Sequence, residues 1–309
     1  MVSGCGLAEN HYLLIDQSLA AHDARRADAI MAQAESEYGS RNRLLYSMDR
    51  GMTLHLAGDY VQSNNLLEQA SMEVERLYTR SIRTETAAFL TNDNMLPFEG
   101  DPYEHVMINV VKALNYAAMG QLTEAVVEAR QIDHRLNVLA DSAKEKDGYR
   151  EDAFARYLTG VLYESTGDVN NAFIAYRKAY DIYEATKGWS RTPMPPMLRA
   201  DLLRTAEALH LTTEFEEYRH QFPETRWVSR SDQPNLAQVV VISYNGRAPR
   251  KEDAFLDIPI SLSALQLVLL NRGVIHASNR QERRVADSVL YGLNGRVVRV
   301  ALPKLILQK

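Results

Sequence analysis

Cys5 has the most specific chemical context of any single residue in the chain, and it is the only cysteine. The segment Val2-Ser3-Gly4-Cys5 has the form of a lipobox, in which an aliphatic residue and two small residues precede the cysteine that receives a lipid. The small residues are needed because a signal peptidase binds an extended, narrow segment. No charged start or apolar stretch precedes the motif. We expect that the sequence begins inside a signal peptide and that Cys5 is lipidated. The alternative is that Met1 is the true start and the match is chance.

The other residue types with catalytic or metal-binding chemistry form no recognisable motif. The sequence has neither of the glycine-rich phosphate-binding motifs, G-x-x-x-x-G-K-[ST] and G-x-G-x-x-G, and no His-Glu-x-x-His pair. The segment Gly188-Trp189-Ser190-Arg191-Thr192 lacks the second glycine of a nucleophile elbow. The eight histidines are scattered, and one cysteine cannot form a zinc-binding pair. We predict no catalytic residue, no metal site and no cofactor.

Composition and charge narrow the class of protein. Hydrophobic residues make up 46% of the chain and charged residues 24%, a mixture typical of globular proteins. No apolar run reaches the length of a membrane-spanning helix, about 18 residues. Residues 1–225 contain 22 basic and 34 acidic side chains, whereas residues 226–309 contain 13 and 6. The basic residues of the second part are scattered among strand-like segments, so we predict no nucleic-acid partner.

A repeat of about 34 residues indicates the fold of the first part of the chain. Residues 153–186 carry the signature of a tetratricopeptide repeat (TPR) at positions 8, 11, 15, 20, 24 and 27, with Gly160, Tyr163, Gly167, Ala172, Tyr176 and Ala179. The same frame fits residues 44–77 and 106–139. The glycine at position 15 allows the left-handed backbone that ends the first helix. Because such helix pairs bury their apolar sides only against neighbours, we predict a mainly α, TPR-like solenoid of helical hairpins.

Further segments complete this helical region, which we place at residues 11–225 after a tether at 1–10. Residues 24–34 are predicted to be the second helix of a half unit that ends at Gly39. Residues 198–220 are predicted to form a degenerate last pair. Residues 79–105 do not fit the frame and are predicted to be an insert, part of which extends the preceding helix.

Four segments resemble an uncharacterised family of bacterial TPR lipoproteins. They are Phe98-Glu99-Gly100-Asp101-Pro102-Tyr103-Glu104, Ala113-Leu114-Asn115-Tyr116, Val127-Glu128-Ala129-Arg130 and Val298-Arg299-Val300-Ala301-Leu302-Pro303. The last is similar to the family's C-terminal Arg-x-Ala-Leu-Pro strand, and the family's lipobox corresponds to Cys5. The resemblance implies no established activity. It suggests lipoproteins of the penicillin-binding-protein activator type as neighbours.

A small β-containing region is predicted at residues 235–309. Residues 238–244 are rich in β-branched side chains and precede the turn-forming pair Asn245-Gly246, so they are predicted to form a strand. Further strands are predicted at 255–260 and 296–302, and a helix, with a buried strand as the alternative, at 262–271. We expect this region to cap the end of the solenoid. The alternative is that an unpaired edge of its sheet receives a strand from a partner.

The concave surface of a TPR array is lined by positions 2, 5, 9 and 12 of each first helix, and here that surface is predicted to be apolar. At positions 5, 9 and 12 the three units have Met48, Met52 and His55, then Val110, Leu114 and Ala117, then Tyr157, Val161 and Glu164. The Lys, Arg and Asn residues of a clamp for a peptide carboxylate are missing, which excludes that mode of binding. We favour filling of this groove by the chain's own insert; the alternative is an apolar segment of a partner.

Together these features predict a non-enzymatic protein–protein interaction scaffold or assembly factor of the bacterial cell envelope. Lipid on Cys5 would hold it at the periplasmic face of the outer membrane, for which Gly6 is a suitable following residue. Its partners are expected to be proteins, including other envelope lipoproteins. The alternatives are a soluble cytoplasmic TPR scaffold and, less favoured, an enzyme with a site between the helical and β-containing regions. The predicted contact or locking residues of the insert are Phe98, Glu99, Gly100, Asp101, Tyr103 and Glu104.

Overall fold

The computed structural model describes residues 6–84, 97–142, 151–187, 193–229, 232, 239–244, 250–259 and 297–306. The chain divides into two compact units, Met1–Ala237 and Gln238–Lys309, which we describe separately. Several predictions lie outside the described residues: lipidation at Cys5, the Asn245-Gly246 turn, the helix at 262–271 and residues 85–96 of the insert.

The first unit consists of helices that pair along the chain into hairpins. The helices are α1 (Gly6–Ala20), α2 (Ala24–Gln33), α3 (Glu35–Tyr38), α4 (Arg43–Ala57), α5 (Tyr60–Thr84), α6 (Pro102–Ala118), α7 (Leu122–Ser142), α8 (Ala153–Ser165), α9 (Val169–Thr186), α10 (Pro196–Ala208) and α11 (Thr212–Gln221). The hairpins are α1–α2, α4–α5, α6–α7, α8–α9 and α10–α11, and each packs against the next. The predicted mainly α solenoid of TPR-like hairpins is confirmed. No helix among the described residues is both long and apolar enough to cross a membrane.

The glycines of the repeat lie where close packing and helix termination require them. A Cβ atom added to Gly51 would lie 2.7 Å from the Leu67 side chain, and one added to Gly160 would overlap the Tyr176 ring. Position 8 therefore sets the distance between the helices of a hairpin. Gly58 ends α4 with a φ angle of 83°, which is the left-handed conformation that the repeat frame predicts.

The N-terminal end of the array differs from the sequence prediction. The predicted half unit is a complete hairpin, because α1 begins at Gly6 and packs against α2. The residues from Gly6 onward that we had expected in a tether therefore belong to a helix. The repeat signature of this hairpin is weak because Ile15 stands at position 8 of α1, where the next first helix, α4, has Gly51. Ile15 is buried against Ala27 and Met31 instead.

Buried cations join the second hairpin to the third and the third to the fourth. Lys112 of α6 bonds to Glu68 of α5 at 2.6 Å and to Glu128 of α7 at 2.8 Å. Burial alone would lower the pKa of Lys112, but the bonds to these two carboxylates outweigh it and raise that pKa. Arg156 of α8 is fully buried and bonds to Asp133 of α7 at 2.5 Å.

The second unit contains an antiparallel strand pair. The strands are β1 (Arg250–Pro259) and β2 (Val297–Ile306), with Arg250 opposite Ile306 and Pro259 opposite Val297. The strands predicted at 255–260 and 296–302 overlap these ranges, and the observed strands are longer. The strand predicted at 238–244 is wrong for the described residues 239–244, which form no strand. Propensity alone does not make a strand, because its backbone groups need the edge of another strand.

Candidate functional site

The first helices α4, α6, α8 and α10 lie side by side, and the side chains at positions 2, 5, 9 and 12 share one side of them. We call this surface the first-helix face. The frame extends to α10 when its turn into α11 is aligned with the other hairpin turns. The residues are Leu45, Met48, Met52 and His55 of α4; Met107, Val110, Leu114 and Ala117 of α6; Phe154, Tyr157, Val161 and Glu164 of α8; and Met197, Ala200, Arg204 and Glu207 of α10.

Most of the predicted apolar residues of this face are half-buried rather than enclosed. Leu114 and Val161 belong to this group. Val110 does not, because only 2% of it is exposed, so it is covered in the folded chain. Met48 and Met52 are also half-buried and pack against a core cluster to which Phe98 of the insert adds its ring. Phe98, Met48 and Met52 therefore share one core cluster, and filling of the groove by the insert stays a prediction.

The segment from Phe98 to Glu104 caps the N-terminal end of α6 and is hydrogen-bonded to the residues before α4. The Phe98 N–H donates to the Arg41 carbonyl at 3.1 Å, which ties the insert to the residues before α4. The Asp101 N–H donates to the Glu104 carboxylate at 2.6 Å, and the two residues form a capping box. Burial, with the nearby carboxylates of Glu104 and Asp101, raises the pKa of Tyr103 to about 12.

Backbone geometry explains two further members of this segment. Gly100 has a φ angle of 73°, in the left-handed region that glycine adopts without strain. The carbonyl of Glu99 lies 2.8 Å from Nε2 of His105, so His105 donates to it. Helix capping and a tight turn therefore account for the Phe98–Glu104 sequence pattern, and its contact or locking role stays a prediction.

A polar network occupies the face between α8 and α10. The Tyr157 hydroxyl donates to Oδ2 of Asp201 at 2.7 Å. The Arg204 guanidinium donates to Glu164 through Nε at 2.9 Å and Nη2 at 2.7 Å, and to Oδ1 of Asp201 at 2.7 Å. Burial raises the pKa of Asp201, while Arg204 and Tyr157 oppose that rise. Glu164 therefore joins two hairpins rather than simply facing solvent.

His55 has a comparable structural role between α4 and α6. Its Nδ1 lies 2.6 Å from Oδ1 of Asn115, and Asn115 donates to Ser63 and Asn64, each at 2.8 Å. Asn115 is fully buried. The predicted groove residue His55 is thus part of a hydrogen-bond network that holds the second hairpin to the third.

Sequence reasoning missed several residues of the face. The sequence prediction assigns position 2 to the concave surface but names no residue there, although position 2 is apolar in all four first helices. The last helix pair, α10–α11, is predicted only as degenerate, without assigned repeat positions. The polar residues of α10 on this face were therefore not identified. The missed residues of the face are Leu45, Met107, Phe154, Met197, Ala200, Arg204 and Glu207, and Asp201 lies beside them in the polar network.

Other clusters of polar groups lie away from this face. Tyr12 and Tyr38 both donate to Oδ2 of Asp49 at 2.8 Å, and burial raises the pKa of Asp49.

A cavity of about 450 Å³ lies among α5, α7 and the start of α6, with Leu77, His105 and Arg135 in its lining. Among the described residues no group of three His, Cys, Asp or Glu side chains is arranged to hold a metal ion.

Comparison with known proteins gives structural likenesses only. No family model matches the chain, and no curated protein sequence matches it. A Podospora anserina structure described as kinesin light chain TPR-like repeats is 17% identical, with a TM-score of 0.45 over 72% of this chain and 96% of that one. BtubC from P. vanneervenii is 15% identical, with a TM-score of 0.44 over 77% and 88%. MamA from Desulfovibrio magneticus RS-1 is 13% identical, with a TM-score of 0.43 over 72% and 94%.

Proposed function

We propose that the protein is a non-enzymatic protein–protein interaction scaffold of the bacterial cell envelope, anchored by lipid on Cys5. In this proposal the helical hairpins present the first-helix face to an apolar segment of a protein partner. Other envelope lipoproteins are the partners that the family resemblance suggests. The lipobox form of Val2–Cys5 supports the anchor, and the solenoid architecture supports the binding role.

The composition of the first-helix face carries the proposal. Its apolar residues repeat at position 2 of four successive first helices and at position 9 of α4, α6 and α8, so apolar side chains recur along one side of the array. Met197 is 54% exposed at one end of it. A surface with recurring, partly exposed apolar side chains is typical of a protein-binding site. Methionine suits such a site because its flexible side chain adapts to the shape of a partner.

Site-specific photo-crosslinking tests the binding role. A photoreactive residue at Val161 would report contacts on the first-helix face, and one at Val127 provides a matched control. Val127 is also a valine in a helix, lies on α7 and is 46% exposed. We expect a discrete adduct with a second protein from position 161 and none from position 127 in cells that express the full-length protein. The absence of an adduct at 161, or equal adducts at both positions, would contradict the binding role.

A separate measurement tests the anchor. Mass spectrometry of the membrane fraction, after expression from the complete gene, should find a lipid-modified peptide that begins at Cys5. The Cys5→Ser variant should move to the soluble fraction. An unmodified Cys5 in the soluble fraction would instead favour a cytoplasmic scaffold, and the crosslinking result would still decide whether the first-helix face binds a partner.

A further inference from the structure

The first-helix face changes in character from one end of its helices to the other. Position 2, near the start of each helix, is apolar throughout, with Leu45, Met107, Phe154 and Met197. Position 12, near the end of each helix, has Glu164 and Glu207 in the last two first helices. A ligand lying along α8 and α10 would therefore meet an apolar surface first and an acidic edge at the far end.

The acidic edge is placed against the preference of an isolated helix. Glu164 is the last but one residue of α8, and Glu207 is the last but one residue of α10. The C-terminal end of a helix carries partial negative charge, so a carboxylate there is disfavoured. Proteins break a local rule of this kind chiefly at functional or strained sites.

The local charge balance leaves this edge negative. Arg204 bonds to both Glu164 and Asp201, and it is the cation of this network. Glu207 accepts a hydrogen bond of 3.2 Å from Nε1 of Trp227, which carries no charge. Arg204 thus pairs with two carboxylates, and Glu207 adds a third negative charge at the C-terminal end of α10. The side chains of Arg204, Glu164 and Asp201 are largely buried, so solvent screens their charges less than at an open surface. The net charge of −12 on residues 1–225 has the same sign.

We infer that the segment bound by the first-helix face is an amphipathic helix that is apolar along most of its length and carries Lys or Arg at one end. This inference rests on the proposed binding function. Its apolar side contacts Phe154, Tyr157 and Val161 of α8 and Met197 of α10. Its basic end lies beside Glu164 and Glu207. Charge complementarity fixes the direction in which the segment lies and disfavours a segment with an acidic end.

The spacing along α8 defines the ligand further. Phe154 and Glu164 are ten residues apart, which corresponds to about 15 Å along a helix. A helical ligand would match this length with apolar residues at i, i+3 and i+7 and a basic residue near i+10 or i+11, in the manner of helix-in-groove recognition.

Two synthetic probe peptides test the inference with the full-length protein. Both are fluorescently labelled 18-residue helices with the same leucine stripe, and they differ only in carrying three lysines or three glutamates at one end. We expect fluorescence anisotropy to show at least tenfold tighter binding of the lysine peptide at low ionic strength. That ratio should shrink as salt is added, because salt screens charge pairs.

Two variants locate the charge preference. Glu207→Gln keeps an acceptor for Trp227 and should lower the ratio between the two peptides several-fold, with little change for the glutamate peptide. Glu216→Gln, at an exposed position on α11 outside the face, should leave the ratio unchanged. Equal binding of the two peptides, tighter binding of the glutamate peptide, no binding of either, or an unchanged ratio in Glu207→Gln would overturn the inference. The crosslinking result at Val161 is independent of peptide charge, so it separates this failure from a failure of the proposed function.

Discussion

At the scale of single residues, the position-8 glycines decide how closely the two helices of a hairpin approach. Gly160 faces the ring of Tyr176, and Gly51 faces the end of the flexible Leu67 side chain. An alanine gains helix propensity at either place, and it also adds a methyl group to a packed contact. The structure indicates that packing outweighs propensity at Gly160, because an aromatic ring has few ways to move aside.

We predict that Gly160→Ala destabilises the protein by about 1–2 kcal/mol, the difference between overpacking and the propensity gain. Gly51→Ala should cost less, because the Leu67 side chain can change rotamer. Urea unfolding followed by circular dichroism measures both. A more stable Gly160→Ala variant would show that the contact with Tyr176 does not limit the spacing of α8 and α9.

Asp49 provides a prediction about pH. Burial raises its native pKa above the ordinary value of 3.8, although the hydrogen bonds from Tyr12 and Tyr38 oppose the rise. The native state therefore binds this proton more tightly than the unfolded state does. The contribution of Asp49 to stability is present at pH values below 3.8 and is lost as the pH rises through the native pKa.

The variant Asp49→Asn removes this titration while its amide oxygen still accepts a hydrogen bond. We predict that its free energy of unfolding falls less steeply than that of the wild type as the pH rises above 3.8. Urea unfolding of both proteins at a series of pH values is the measurement. Parallel pH profiles would mean that Asp49 has the same pKa in the native and unfolded states.

At the scale of secondary-structure elements, buried ion pairs connect neighbouring hairpins. Arg156 of α8 bonds to Asp133 and Asn137 of α7 and to Glu151 just before α8. The arginine side chain is fully buried, whereas the carboxylates of Asp133 and Glu151 are 26% and 31% exposed. Removal of the guanidinium would leave the carboxylates of Asp133 and Glu151 without this partner at positions that water reaches only in part.

We predict that Arg156→Met lowers the free energy of unfolding by about 2–3 kcal/mol, somewhat less than the loss of one partner from a fully buried pair. Arg76→Met is the matched control, because Arg76 pairs with Glu73 within α5 at an exposed site. That control should change stability little. If the two variants were equally stable, the ion pair between α7 and α8 would contribute nothing beyond a surface pair.

The helical elements were largely predictable, and the reason lies in the repeat. Gly58 and Gly167 mark helix ends by a backbone requirement that does not depend on tertiary contacts. The first hairpin was only half predicted, because Ile15 gives no such local signal. The segment 239–244 was assigned wrongly, because β-branched residues form a strand only when a neighbouring strand satisfies their backbone groups.

At the scale of the whole molecule, a solenoid is stabilised by contacts between neighbours, so its ends should be its weakest part. No residue of α11, the last helix of the array, is buried. Helices α6 and α8, by contrast, bury residues along most of their length. We predict that amide hydrogen exchange, followed by mass spectrometry, is fastest in α11 and slowest in α6 and α8. Uniform exchange along the array would indicate a single cooperative unit instead.

The sequence by itself determined the hairpin repeat, the helix ends at the repeat glycines and the largely apolar residues at positions 5 and 9 of α4, α6 and α8. These follow from local backbone preferences and from the period of the side chains, which act within one hairpin. Only the tertiary structure decided which face residues reach the surface: Val110 is covered, and His55 and Glu164 are held in networks between hairpins. Burial and ion pairing depend on the neighbouring hairpins, and a linear period carries no information about those contacts.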